Sequence, residues 1–558
     1  MYALAIVIAV CIASGFHWYN LRRPLPGIPH RKGVLRWLVG DTLAVIRQED
    51  MFGWLAQQCT ALQSPIIQMW LSPFDKPVVV ISDFREAQDI LVRRGTEFDR
   101  APFMSDILEM ALPFHSLRML TNDQFKFQRK VMMDTMTPAF LHQVAAPYTF
   151  AHAERLVRLW QRKAHLAQGR PFTAGSDLNY TTLDFIWVTA FGAEVGTIEA
   201  QIQYLSNIDS IHLSPDQSAQ VTIPEAQVPP LNDAIEAVVL AVEKVMVLPF
   251  PRQHHRLLKR FTGLGAMTAL KEREVSMALA NARQKLASCH SNSQRTESAL
   301  DFVLRRASSM AEKSEMTISD AALKDELFGF ILGGQHTSAT TTSWALKTLS
   351  QNPGVQDKLR TAIDAVLGAE TFDQTTAGTS IATANMPYVD AFIEEVLRFC
   401  QIVPGVTRVA LADAVIFGHA IPAGTEVFFL HNGGAILEPT LPIKESSRST
   451  SSQNNRDKTS SWNSKDISEF DPERWLTTDA AGLVSFDRNA GPALPFAAGN
   501  RGCFGKNLAL MNLRIMIAVL VHNFDFNAVS AALNDWSIYQ HIARSPRQCY
   551  VQPSPRQT

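Results

Sequence analysis

The spacing of apolar and polar residues divides the chain into a short β-containing start and a long helical body. Two apolar runs, 66–71 and 77–82, flank a turn-like segment and predict a β-hairpin. Asp83 and Glu86 then have the spacing of a helix-capping pair, which predicts a helix directly after the hairpin. From 141 to 305 most apolar positions recur at helical intervals. We therefore expect a mainly α-helical fold with small β-sheets.

One helical pattern is much longer than the others. It covers 319–350 and ends at Asn352-Pro353, where the proline cannot continue a helix. At 1.5 Å per residue, such a helix would be roughly 45 Å long, which is the width of a domain. We expect it to cross the centre of the protein.

The first residues are apolar and uncharged as far as Tyr19, and the basic pair Arg22-Arg23 follows them. A membrane-spanning helix needs about 17–25 such residues, and basic residues stay on the cytosolic side. We interpret 1–20 as an uncleaved signal-anchor helix; a buried N-terminal helix is the alternative. The proline-rich stretch 21–32 is then a hinge, and 33–558 is a single catalytic domain.

A polar, serine-rich stretch, 444–466, interrupts the second half of the chain. It has almost no aliphatic residues, so we expect a flexible loop inside the domain rather than a domain boundary.

Overall composition narrows the function only slightly. With 46% hydrophobic residues and a net charge of −1, the chain can bury a large core and lacks the basic excess of most nucleic-acid binders. The six cysteines are too sparse for a disulfide framework, and none has the C-x-x-C spacing of a structural zinc site.

The strongest chemical signal is the segment around Cys503. Three glycines surround this cysteine, and a helical pattern over 508–521 begins just after it. A helix N-terminus stabilises a thiolate, and Arg501 adds a nearby positive charge. A thiolate in such a loop is either a metal ligand or a nucleophile, but a nucleophile would need a base, and the segment contains no histidine.

Phe496, Gly499, Arg501, Cys503 and Gly505 match the pattern F-x-x-G-x-R-x-C-x-G, and the segment therefore resembles the haem loop of the cytochrome P-450 superfamily. The resemblance implies the fold of that family, in which a long central helix crosses a helical haem domain. It also implies haem b as the cofactor, with Cys503 as the axial ligand of the iron.

The long helix carries a second matching segment, Gly333-Gly334-Gln335-His336-Thr337. Each glycine inside a helix costs about 1 kcal/mol relative to alanine, which favours a site where a ligand comes close. The segment resembles the oxygen-binding pattern [AG]-G-x-[DE]-T of the same family. This implies that Thr337 interacts with O2 and guides protons, next to Gly334. His336 replaces the usual acid, and it either relays protons itself or marks different chemistry.

Two further matches concern structure and haem binding. Glu395 and Arg398 resemble the family's E-x-x-R helix, and Arg474 lies in the matching segment Pro-Glu-Arg-Trp, which implies a structural network beside the haem. Arg129, four residues after Phe125, resembles the family's W-x-x-x-R, with Phe125 replacing tryptophan. The resemblance implies haem-carboxylate contacts from three arginines, which are Arg129, Arg408 and Arg501. For Arg129, a solvated basic helix face is the alternative.

The resemblance also implies partners. The chain has no phosphate-binding or dinucleotide motif, so electrons would come from NADPH through a flavoprotein reductase, docked on basic residues such as Lys130 and Lys506. The anchor implies the endoplasmic reticulum membrane with a cytosolic catalytic domain. The positions that the family places around the pocket are mostly apolar here, which favours a small apolar substrate beside O2. The segment around Cys503 is also similar to that of filamentous-fungal members of secondary metabolism.

We therefore expect a monooxygenase. A haem-thiolate isomerase or oxidative cyclase is one alternative, and a haem-binding protein without turnover is another. NADPH and O2 consumption would distinguish these three functions.

Overall fold

A computed structural model describes residues 23–556 except 37–38, 72–75, 247, 249, 288–296, 313–314, 369–375, 459–460, 464 and 541. The predicted anchor, 1–20, and the start of the predicted hinge lie outside the described residues. In the part of the chain that the structure describes, no helix is both long enough and apolar enough to cross a membrane.

Helices make up most of the described chain. In chain order, α1 to α19 are Thr42–Ile46, Met51–Ala61, Phe84–Arg93, Pro102–Leu108, Asp123–Met132, Pro138–Phe140, Ala146–Ala167, Gly175–Phe191, Thr197–Ser206, Pro230–Val245, Pro251–Phe261, Leu264–Ala287, Ala299–Ala311, Asp320–Gln351, Pro353–Leu367, Ala377–Thr383, Pro387–Cys400, Thr450–Asn454 and Lys506–Asn523.

The strands are short. In chain order, β1 to β15 are Ile66–Met69, Val78–Ile81, Phe98–Arg100, Phe172–Thr173, Gly405–Ala410, Ala414–Ile416, His419–Ile421, Glu426–Leu430, Leu476–Thr478, Val484–Phe486, Phe524–Phe526, Ile538–Gln540, Arg544–Pro546, Tyr550–Val551 and Pro553–Pro555. The prediction of a mainly α-helical fold with small sheets is confirmed.

The largest sheet has five strands in the order β1-β2-β8-β5-β3. Strands β1 and β2 pair antiparallel, which confirms the predicted hairpin, and β2 pairs parallel with β8. Alternate residues face two different cores, so that Val79 and Ile81 pack on one side and Val78 and Val80 on the other. Both faces are therefore covered, which explains why these strands are apolar throughout.

Helix α14, which we call the central helix, confirms the prediction of one long helix. Its 32 residues correspond to about 48 Å. Ser319 caps its first turn, and Asn352 precedes the proline that begins the next helix. The central helix packs against α8, α17 and α19, so it lies inside the helical body.

The polar segment 444–466 makes specific contacts that its composition did not predict. Arg448 forms an ion pair with Asp83 at 2.7 Å, and both side chains are buried. Ser449 donates a hydrogen bond to Asp89 on α3. The aromatic residue of the segment, Trp462, donates to the carbonyl of Pro492 at 3.0 Å. Ion pairs and one aromatic side chain thus attach this segment to the rest of the protein, although it has almost no aliphatic side chains.

Candidate functional site

The loop around Cys503 is shaped by close backbone packing. The amide of Cys503 donates to the carbonyl of Phe496 at 2.9 Å, and Gly505 forms the N-cap of α19. Gly499 has a φ of +69°, and a Cβ atom there would lie 1.9 Å from the carbonyl oxygen of Leu91. The loop can therefore approach α3 only with glycine at this position. It leaves the Cys503 side chain exposed.

The thiol of Cys503 is influenced by opposing effects. The atoms of the loop around the sulfur desolvate it in part although its surface is accessible, and this raises its pKa, whereas the Gly505 amide and the charges of Arg129 and Lys506 lower it. The nearby cations are thus Arg129 and Lys506, and not Arg501 as the sequence indicated. Arg501 instead forms an ion pair with Asp99 at 2.8 Å. A metal ion at the sulfur would complete its deprotonation.

Four arginines lie close together beside this loop. Arg100 on β3 is the direct cross-strand partner of Arg408 on β5. Burial and the charges of neighbouring arginines lower the pKa of Arg100 to about 10 and that of Arg408 to about 9. Arg501 contributes to both shifts, and burial together with Arg501 also lowers the pKa of Arg129. Like charges directly opposite each other destabilise a sheet unless an anion lies between them.

The hydrogen-bonding groups of this cluster point to such an anion. Within the described residues, Nε of Arg100, Nη2 of Arg408 and Nη1 of Arg501 are buried and have no hydrogen-bond partner. Asp99 offsets part of the charge through Arg501. A ligand with two carboxylates, bound beside the Cys503 thiol, would supply acceptors for these donors. Haem has this chemistry, so the residues present fit the expected cofactor.

Two aromatic side chains organise the arginines. The Arg501 guanidinium lies 3.8 Å from the ring centre of Phe125, and Arg129 lies 4.2 Å from that of Phe504. Phe125 therefore provides a stacking surface, although it lacks the N–H of the tryptophan that it replaces. Arg129 is not part of a solvated basic face, because it is partly enclosed between Phe504 and the loop.

The central helix carries the segment around Thr337 without interruption. The Thr337 hydroxyl donates to the carbonyl of Gly333 at 2.7 Å. A Cβ atom at Gly334 would lie 2.8 Å from Ile186 on α8, whereas Gly333 faces open space. The structure thus places Gly334 against a helix neighbour and leaves Gly333, one turn before Thr337, beside the space where a ligand could approach.

The side chain of His336 contacts helix α10. Its Nε2 lies 3.1 Å from Glu236 and its Nδ1 lies 3.4 Å from Glu243, both on α10. Burial lowers the pKa of His336, but these two carboxylates outweigh that effect and raise the pKa to about 10. The imidazole is therefore protonated at neutral pH, which differs from the expectation that it titrates near neutrality.

Glu395, Arg398 and Arg474 form one buried network. Glu395 accepts from Arg398 at 2.8 Å and from Arg474 at 3.1 Å. It also accepts from the indole of Trp475 at 2.9 Å. Arg398 donates to backbone carbonyls of the segment before Arg474, and Trp462 lies against both guanidinium groups. Every strong donor here has an acceptor, so the network links α17 to the chain that leads to Cys503.

A cavity of about 800 Å³ opens near the five-stranded sheet. Its apolar lining includes Phe103, Met246 and Phe428, and Asp106 and Arg252 lie beside them. Phe428 and Val427, the cross-strand partner of Arg408, pack into different cores on the two faces of the sheet. The cavity and Arg408 therefore lie on opposite faces, and none of the described residues that line the cavity belongs to the Cys503 loop or to the segment at Thr337.

Sequence reasoning missed two parts of the site. Arg100 lies in Phe98-Asp99-Arg100-Ala101-Pro102, and its only local signal is an arginine directly after an acidic residue and shortly before a proline. Glu236 has no sequence signal, because it meets His336 across 100 positions. The two lysines predicted to dock a reductase differ in their exposure to solvent. Lys130 is exposed, whereas Lys506 is half-buried beside Phe496.

Comparison with known proteins agrees with this geometry. A family model described as Cytochrome P450 matches residues 31–434 and 462–544, and the gap contains most of the polar segment. The chain is 32% identical to cytochrome P450 monooxygenase TRI13 of Fusarium sporotrichioides, over 98% of each chain. It is 34% identical to cytochrome P450 monooxygenase GME11363 of Pestalotiopsis microspora, over 94% of this chain and 93% of the relative. A crystal structure of a cytochrome P450 (CYP102L1) aligns with a TM-score of 0.69 and 18% identity, covering 96% of this chain and 100% of that chain.

Proposed function

This chain belongs to the cytochrome P450 family and is a haem-thiolate monooxygenase, and we propose that it inserts one oxygen atom of O2 into a small apolar molecule by hydroxylation or a related oxidation. The observation that carries the proposal is the exposed thiol of Cys503 beside buried arginines whose donors lack acceptors.

We assign the haem contacts as follows. Cys503 would ligate the iron, and Phe496, Gly499 and Gly505 would shape its loop. The arginines would hold the two carboxylates, with Arg100 added to the predicted Arg129, Arg408 and Arg501. Glu395, Arg398 and Arg474 would keep the loop in place. Haem, when bound, supplies the iron chemistry that activates O2.

The first test is the difference spectrum of the reduced enzyme with carbon monoxide. We expect a thiolate-type haem band in the full-length protein and its loss in Cys503→Ser. Cys59→Ser is the matched control, because Cys59 is buried in the small core beside the sheet. A thiolate band that survives in Cys503→Ser would refute the assignment of the ligand.

Thr337 would guide protons. Its hydroxyl donates to Gly333 and can also accept a hydrogen bond, so it can hold a water molecule and exchange a proton at Oγ. Gly333 and Thr337 lie on the side of the central helix that faces open space, which leaves room for O2 and water.

The cavity would admit an apolar molecule, but its described lining includes no residue of the Cys503 loop or of the segment at Thr337, so it is not the place of the reaction. A volume of about 800 Å³ lies within the range of binding sites for small organic molecules, and the lining combines aromatic and aliphatic side chains. The relatives are monooxygenases from filamentous fungi, which supports an assignment to secondary metabolism.

Electrons would come from NADPH through a flavoprotein reductase. Lys126 and Lys130 are exposed on α5, the helix that carries Arg129. They form a small basic surface on the Cys503 side, where an acidic reductase surface could dock.

Membrane attachment would combine the N-terminal anchor with α11. The exposed side of α11 carries Leu257, 54% exposed, and Phe261, 77% exposed, next to Arg256, Lys259 and Arg260. Apolar side chains flanked by cations fit the interface of a phospholipid membrane. With the positive residues after the anchor, this supports the cytosolic face of the endoplasmic reticulum.

The isomerase or cyclase alternative rested on His336. An isomerase predicts product formation without net consumption of NADPH and O2, whereas an oxidative cyclase consumes both and forms a product without an oxygen atom from O2. Reductase-driven NADPH oxidation that requires O2 would exclude the isomerase and a haem protein without turnover, and label from 18O2 in the product would support the monooxygenase over the cyclase.

A further inference from the structure

A polar cluster outside the Cys503 side of the protein joins α10 to the central helix. Glu236 accepts hydrogen bonds from His336, at 3.1 Å, and from the side-chain amide of Gln335. These two residues directly precede Thr337. One carboxylate from a different helix is therefore bound by the two consecutive residues that precede Thr337.

The two carboxylates of the cluster differ in their access to water. The side chain of Glu236 is 27% exposed, whereas that of Glu243 is 2% exposed. Burial raises the pKa of Tyr539 and of Tyr180, and the charges of Glu243 and Glu236 near Tyr539, and of Glu236 near Tyr180, add to this effect. Of the two carboxylates, only Glu236 can exchange protons directly with solvent.

His336 is a poor proton donor in this arrangement. With its pKa raised to about 10 by the two carboxylates, against the effect of burial, it keeps its proton at neutral pH. Glu236 is partly exposed to water, and its carboxylate is hydrogen-bonded to the side chains of the two residues that precede Thr337, so it connects solvent to this segment of the central helix.

We propose that Glu236 is a positioning residue for proton delivery, which acts through the segment at Thr337, and that His336 serves to hold it there. For each proton delivered, Glu236 takes one proton from a solvent water molecule and gives one proton to a water molecule at the Thr337 hydroxyl. The net charge of Glu236 is restored, and no electrons are transferred. The inference rests on the proposed monooxygenase function.

The test uses the full-length haem enzyme with a purified NADPH-dependent reductase. In Glu236→Gln we expect NADPH oxidation to slow roughly 10- to 100-fold and its solvent isotope effect in D2O to increase. Glu236→Asp keeps a carboxylate and should recover much of the rate. The matched control is Asp233→Asn, which removes an exposed carboxylate one turn earlier on the same helix.

A second readout does not depend on turnover. In the ferrous carbon monoxide form, NMR of labelled histidine should show that His336 stays protonated up to about pH 9 in the wild type. Its pKa should fall in Glu236→Gln. An unchanged His336 pKa in that variant would show that the contact does not exist in solution.

The outcomes separate the two proposals. A wild-type enzyme that gives no thiolate band, or does not oxidise NADPH, contradicts the proposed function. If the wild type oxidises NADPH and Glu236→Gln has the same rate and isotope effect, only the role of Glu236 is refuted. A slower rate with an unchanged isotope effect would mean that Glu236 only fastens α10, and it would also overturn the proposal.

Discussion

The buried arginines near Cys503 repel one another more than the described carboxylates can offset. Arg100 and Arg408 oppose each other across two strands, and burial together with neighbouring arginines holds both pKa values well below the usual range. The sheet tolerates this repulsion if an anion binds between the guanidinium groups. In the proposed haem site, these residues would therefore favour binding of the cofactor at the expense of the stability of the cofactor-free protein.

Replacement of Arg408 should have opposite effects on the two forms. In Arg408→Met, the cofactor-free protein should melt at the same or a higher temperature, because a buried donor without a partner is removed. The haem-bound protein should lose haem about 10- to 100-fold faster, since a charged hydrogen bond is worth roughly 1.5–3 kcal/mol.

Transfer of haem to an excess of apomyoglobin measures the rate of haem loss, and thermal unfolding measures the stability of the cofactor-free form. Arg256→Met, at an exposed site on α11, is the control. If Arg408→Met retains haem as well as the wild type, Arg408 does not bind a haem carboxylate.

At the scale of elements, α10 and α11 follow each other in the chain but differ in their exposed surfaces. Helix α10 directs two glutamates at the central helix, whereas α11 directs apolar and basic side chains outward. Arg252 at the start of α11 forms ion pairs with Asp106 and Glu109, at the end of α4 and just beyond it. One side of this pair of helices is thus attached to the protein, and the other exposes Leu257 and Phe261 to solvent, which is the side proposed to meet a membrane.

Loss of the apolar side chains of α11 should weaken membrane binding. For a chain that starts at Arg23, Leu257→Ser with Phe261→Ser should bind vesicles of anionic phospholipid at least about tenfold less tightly. Full burial of one such side chain is worth roughly 1.5–3 kcal/mol.

Vesicle sedimentation measures this binding. The control pair, Leu483→Ser with Val484→Ser, removes two exposed apolar residues from the hairpin of β9 and β10. Equal binding of the α11 variant and the wild type would exclude α11 from the membrane contact.

At the scale of the whole molecule, ion pairs connect layers that are distant in sequence. Arg448 connects the polar segment to the start of α3, and Glu395 connects α17 to the segment before Cys503. His336 connects the central helix to α10. Because His336 has a strongly raised pKa, this last link makes stability depend on pH.

The direction of that dependence follows from the pKa of His336 in the two states. It is about 6.5 in the unfolded chain and about 10 in the folded protein. The stabilisation of the folded state by the ion pairs of His336 is complete below pH 6.5 and is lost as the pH rises towards 10. The melting temperature of the wild type should therefore fall relative to that of His336→Gln across this interval. Glu236 and Glu243 are the carboxylates that raise the pKa of His336 against the effect of burial. A difference in melting temperature between the wild type and His336→Gln that stays constant across this pH interval would contradict the prediction.

Local sequence determined several features by itself. The loop around Cys503, the long central helix and the pairing of Glu395 with Arg398 all depend on residues within one turn or one helix. Spacing along the chain sets these contacts, because neighbours at i+3 and i+4 meet on any helix, and glycines permit a sharp turn in any loop.

The tertiary structure alone decided which residues from distant parts of the chain meet. Arg100 faces Arg408 because two strands about 300 residues apart pair in one register. Glu236 reaches His336 because α10 packs on the central helix, and Trp462 attaches a polar segment that looks unstructured from its composition. Each contact depends on how separate elements pack, and composition and periodicity carry no record of that packing. The chemistry expected of the Cys503 loop could therefore be predicted from the sequence, whereas the charges around it and the partner of His336 could not.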